Sequence, residues 1–132
     1  MDVVALIGRI LYGLLYVGSG IGHLTQLEAM AGYAESRGVK PGKPMTAISG
    51  VLILAGGLGV ILGVWADLAA LGLAVFSFLA AVLMHPYWRF DGMERMQEMV
   101  QFNKDLALCG AGLIQFVYFT SGPGLTLTGP LF

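Results

Sequence analysis

Apolar runs long enough to cross a bilayer constrain this chain more than any other feature. The sharpest, Ala66 to Met84, holds a single charged residue, Asp67, and stops at His85-Pro86-Tyr87-Trp88. A helix rises about 1.5 Å per residue, so roughly 20 apolar residues cross the hydrocarbon. Four stretches approach that length: residues 3–24, 45–63, 66–85 and 103–120. None alternates with a strand's period, which argues against a barrel. The expected fold is all-α: one domain over residues 1–132, a four-helix transmembrane bundle.

Composition agrees where the argument needs it. Hydrophobic residues make up 57% of the chain and charged residues only 11%. A soluble domain this small would leave too much apolar surface in water at that charge density. A net charge of -1 offers nothing to nucleic acid. A single cysteine, Cys109, excludes an internal disulfide or a CxxC pair. Met1-Asp2 lacks the basic n-region of a signal peptide, so the first run is expected to be a retained span. Gly18/Gly22 and Gly59/Gly63 have the GxxxG spacing of close helix contacts.

The connections differ in kind. Residues 25–44 hold Glu28, Glu35, Arg37, Lys40 and Lys43, and Met30, Tyr33 and Ala34 suit one side of a short interfacial helix ended by Gly38. Val64-Trp65 is a tight turn. Residues 86–102 place Met93, Met96, Met99 and Val100 at helical spacing among charges, which suits a helix on the membrane surface or a loop helix packed on the bundle. Arg37, Lys40, Lys43, Arg89 and Arg95 all fall in the first and third connections. The bias of basic residues therefore predicts those loops in the cytoplasm and both termini outside.

Small residues mark the inward faces. Ala66, Ala70, Ala74, Ser77 and Ala81 recur at helical steps, and His85 continues the series. Leu68, Leu71, Val75, Phe78 and Val82 are expected toward lipid. Arg9, Gly13, Tyr16, Gly20 and His23 share a face of the first span; Asp105, Cys109 and Gly112 share one of the fourth. His23, His85 and Asp105 should thus converge on one pocket at the cytoplasmic end, with Asn103 and Lys104 at its rim and Tyr87 and Trp88 as interface anchors. Each has a plainer use: His85 as a helix-end cap, His23 as a polar terminus, Asp105 as an ion-pair partner of Lys104, Cys109 as a packing residue. Arg9 lies ~9 Å into its span by helical rise, where a charge must pair or snorkel. Asp67, on the same side, is the expected partner in an ion pair. No ligand spacing marks a metal site.

Ile7-Gly8-Arg9-Ile10, Gly18-Ser19-Gly20-Ile21-Gly22-His23-Leu24, the Leu/Gly-rich second span, His85-Pro86-Tyr87-Trp88 and Gln101-Phe102-Asn103-Lys104-Asp105-Leu106-Ala107-Leu108 together resemble the DoxX family of membrane proteins. Val51 and Leu52 occupy an area where that family often carries glutamate. Asp105 stands where Asn is usual, and His23 where Lys is common. The resemblance implies a four-helix bacterial inner-membrane protein, linked to quinone-dependent thiosulfate oxidation, quinone or thiol stress, and membrane oxidoreductase complexes. The leading functional expectation is a small subunit of a quinone-linked redox system that binds a quinone or other lipophilic ligand. No residue of the chain carries electrons, so an enzymatic role would need a partner or cofactor. The alternative is a non-catalytic docking subunit bound to a membrane partner or to further copies of itself. Haem held by His23 and His85 is a less favoured reading, a zinc site on His23, His85 and Asp105 is less favoured still, and a transporter is ranked low.

Overall fold

The computed structural model describes residues 1–132 and is entirely helical. Helix α1 spans Asp2–Thr25, α2 Leu27–Ser36, α3 Gly42–Leu62, α4 Ala66–Met84 and α5 Gly92–Thr120, with a 3-10 turn at Tyr87–Arg89. Of these, α1, α3 and α4 with the turn after it are long and apolar enough to cross a membrane.

Local chemistry explains the boundaries. Gly38 adopts φ +87 beyond the end of α2, a conformation that costs glycine least. Pro44 sits in the first turn of α3, where the missing N–H would have no helical partner. Gly63 ends α3 in the left-handed conformation and returns its N–H to Gly59. Pro86 disfavours helical backbone at His85, which becomes the C-cap of α4. Within α2 the buried side is Ala31 and Ala34, whereas Tyr33 stays exposed.

The third connection does not match either sequence expectation, because there is no separate surface helix. Residues 92–102 form the first turns of one unbroken 29-residue helix, α5. Met, Glu, Arg and Gln in that stretch are good helix formers, and no proline interrupts them. The drop in hydropathy near residue 103 marks a change of surroundings, not a helix end.

Helices α1 and α3 pack antiparallel along glycines. A Cβ on Gly13 would lie 2.7 Å from the Gly57 carbonyl oxygen, and one on Gly20 2.8 Å from that of Gly50. The seam therefore uses two heptad-spaced pairs, Gly13/Gly20 against Gly57/Gly50. The GxxxG spacings serve otherwise: Gly18 faces open space, and Gly63 is the turn under Thr126. Helices α4 and α5 form the other close pair, where Gly112 fits against Ala70 and Ala74. Between α1 and this pair the gap is filled by Tyr12 and Tyr16. The Tyr16 hydroxyl lies 2.5 Å from Ser77 Oγ and donates to Tyr12 Oη at 3.3 Å; Tyr12 donates to the Leu108 carbonyl at 3.3 Å. Buried hydroxyls are thus satisfied inside the apolar bundle.

The inward series of α4 is as expected: Ala66, Ala70, Ala74, Ser77 and Ala81 are all buried. Leu68, Val75, Phe78 and Val82 are exposed and Leu71 is half-buried.

Arg9 and Asp67 are buried but do not pair with each other. Arg9 donates to the carbonyls of Val60 at 3.0 Å, Ile61 at 2.9 Å and Leu125 at 2.8 Å, and its guanidinium lies over the Phe119 ring. Asp67 Oδ2 accepts from the backbone N–H groups of Leu131 at 2.6 Å and Phe132 at 2.7 Å. The physical reason is the turn between them. Helix α3 ends beside Arg9 and presents carbonyls, the negative end of its dipole; α4 begins at Asp67, the positive end of its own. Each charge meets the opposite partial charge of a helix end. Segment 121–132 folds back over the same end, with Leu127 and Thr128 donating to Gly63 O and Thr128 Oγ1 accepting from Trp65 N–H at 2.8 Å.

Candidate functional site

At the opposite end, α4 stops while α5 runs on past it. The Met84 carbonyl, left without a helical partner, accepts from Arg37 Nε at 3.0 Å and from the Tyr33 hydroxyl at 3.4 Å. Arg37 therefore closes the C-terminal end of α4 with a cation, where the helix dipole favours one. Its ring neighbours are Tyr33 and Phe90, whose faces lie 4.9 and 4.6 Å from the guanidinium carbon.

The same guanidinium reaches α5. Arg37 Nη2 donates to Glu98 Oε1 at 2.7 Å. The other oxygen, Glu98 Oε2, lies 2.8 Å from His85 Nδ1. The second imidazole nitrogen, Nε2, is 3.5 Å from Asp105 Oδ2. An arginine, two carboxylates and the imidazole between them thus form one chain, Arg37–Glu98–His85–Asp105. The four side chains are only 11–15% exposed. Burial alone would lower the Arg37 pKa, but Tyr33 and Glu98 outweigh it and hold it above its ordinary value. Glu98 anchors one nitrogen of His85, which orients the ring and leaves the other to exchange hydrogen bonds with Asp105 or a ligand.

His85 and Asp105 meet, as the sequence led us to expect. His23 does not join them. Its Nδ1 lies 2.7 Å from the Ser19 carbonyl one turn earlier, its Cβ faces Gly50, and its ring sits edge-on to Phe76. Rotation along α1 turns it into the seams with α3 and α4. Lys104 is half-exposed, donates to Gln101 Oε1 at 2.7 Å and is 3.8 Å from Asp105 Oδ1; Asn103 is exposed. Lys104 thus borders Asp105, while Asn103, two residues before it on the helix, shows no contact with the site. Tyr87, Trp88 and Phe102 stack edge to face beside the site, and Trp88 is exposed.

Glu98 and Arg37 are the residues sequence reasoning missed. Glu98 and Asp105 are seven residues apart, two turns on one helix face, but that relation needs α5 to be continuous. Arg37 left no local signal, because its partners are far away in sequence.

The model of the DoxX family matches residues 4–86. The chain belongs to the DoxX family. This DoxX protein is similar to the inner membrane protein YqjF of Escherichia coli (strain K12), 31% identical over 123 residues, which cover 93% of this chain and 87% of that protein. No solved structure matches it. Its family and its several apolar helices make it a multi-pass membrane protein.

Proposed function

We propose that this DoxX protein binds the polar head of a lipophilic, hydrogen-bonding carrier at the His85–Asp105 end, as a small membrane subunit of a quinone-linked redox system. Helix α5 serves as the fourth span, through residues 103–120, and the Arg37 end faces the cytoplasm, where its loops collect the basic residues. One observation carries the reading: an imidazole held by Glu98 on one nitrogen faces a second carboxylate at 3.5 Å across the other. That spacing is longer than a good hydrogen bond. With its Nδ1–H held by Glu98, the neutral ring accepts from an entering hydroxyl at Nε2 and, as imidazolium, donates there to a carbonyl, while Asp105 stands opposite as the second hydrogen-bonding group. A quinone head has the required pair of oxygens. Electrons would come from a partner, since the chain itself offers no redox group.

A docking role is favoured by a separate observation. Met93, Met96 and Val100 form an exposed apolar stripe on the part of α5 that runs past α4, a surface of the adaptable kind partners use.

The two readings divide on one titration. With Trp65→Phe, Trp88 beside the site is the remaining indole. In lipid nanodiscs its fluorescence should be quenched saturably by decylubiquinone, with affinity falling tenfold or more in His85→Ala and in Asp105→Asn. Saturable quenching indifferent to both substitutions would refute the head site and leave docking.

A further inference from the structure

Between the outer faces of α4 and α5 runs a groove of about 320 Å³ lined only by apolar side chains: Ala74, Val75, Phe78, Leu79, Cys109 and Leu113. Its direction matters more than its size. On α4 the series Val75, Phe78, Val82, His85 advances by three- and four-residue steps along one side of the helix. On α5, Leu113, Cys109 and Asp105 do the same. The lining ends at Leu79 and Cys109; by helical spacing the same side of α4 and α5 continues over Val82 and Leu106 toward His85, six residues past Leu79, and Asp105, one turn from Cys109. From Leu113 to Asp105 is eight residues, or ~12 Å of helical rise.

We propose that the ligand of this site is an amphiphile whose hydrocarbon chain lies in the α4/α5 groove while its head meets His85 and Asp105. The inference rests on the head-site reading and names the substrate class: a head with hydrogen-bonding oxygens bearing a linear or prenyl chain about as long as a decyl group. Free bilayer lipid does not meet this description equally well. By helical spacing the groove points toward His85 and Asp105, a pair able to hydrogen-bond the oxygens of a head. Small side chains, Ala74 and Cys109, leave the room. The bulkier residues at its walls supply the dispersion contacts that a chain gains in a shaped cleft over disordered lipid.

The test compares duroquinone, a ring without a chain, with decylubiquinone. Val75→Trp fills the groove at an exposed position, and Leu113→Trp does so from the other wall. With binding followed by equilibrium dialysis, since the new indole would itself be quenched, either substitution should weaken decylubiquinone at least tenfold and leave duroquinone unchanged. Decylubiquinone, but not duroquinone, should also slow labelling of Cys109 by N-phenylmaleimide. Equal decylubiquinone affinity in both tryptophan variants and the parent protein, with His85→Ala still weakening both ligands, overturns the chain site and leaves the head site standing. Indifference of both ligands to His85→Ala, with the tryptophan variants still selective against decylubiquinone, removes the head and shows a chain site alone.

Discussion

The two ends of the bundle treat buried charge in opposite ways. At the Asp67 end, the two buried charges bond to backbone: Arg9 to three carbonyls, Asp67 Oδ2 to two N–H groups. At the His85 end, Arg37 also caps a helix, but Glu98 bonds both Arg37 and His85, and Asp105 faces the far side of the imidazole at 3.5 Å. Backbone partners cannot titrate or be displaced, so the first arrangement is a clasp. Side-chain partners can exchange protons and rearrange, so the second has the makings of a site. A charge inside a membrane is costly unless it is compensated, and the kind of compensation separates structure from chemistry.

The largest expected effect comes from breaking the clasp. Arg9→Met strips three carbonyls of a charged donor and frees segment 121–132 at Leu125. It should cost ~3–5 kcal/mol, the loss typical of a buried charged partner that leaves others unpaired, read as a fall in unfolding midpoint in detergent. A loss as small as that at an exposed residue would mean the end is not held as described.

Coupling sharpens the contrast. In a double-mutant cycle, Arg37→Gln with Glu98→Gln should show an interaction of about 1–2 kcal/mol, as residues in direct charged contact do. Arg9→Met with Asp67→Asn should show less, because those two share no bond. The reverse order would undo the comparison.

The smallest effect belongs to a pair outside both ends. Lys43 and Glu28 lie 2.5 Å apart but are largely exposed. Replacing both with Gln should change stability by no more than ~0.5 kcal/mol, as exposed pairs are screened and mobile. A larger change in the same unfolding assay would show that the α2–α3 corner is held by charge rather than by the close fit of Gly42 under Ala31.

Much of the fold was legible because membrane helices obey local rules. The extents of the first three spans, the stop at Pro86, the tight turn at Val64-Trp65 and the inward alanines of α4 all follow from neighbours a few residues away. The glycine seam was legible only in part: Gly13 and Gly20 stood on the inward face, but nothing local chose heptad pairs over GxxxG. Of the site, His85 and Asp105 were found because each continues a small-residue face. Glu98 was hidden by reading a polarity boundary as a helix boundary. His23 was misplaced because sharing a membrane depth does not mean facing the same interior.

By itself the sequence determined an all-helical membrane chain, most helix ends but not the start of α5, and most inward faces, because hydropathy and periodicity act over single turns. The tertiary structure alone decided which charges meet. Arg9, Asp67, Arg37 and Glu98 find partners 47–116 residues away. Such choices depend on how helix ends, with their unpaired backbone groups, are brought beside one another in space.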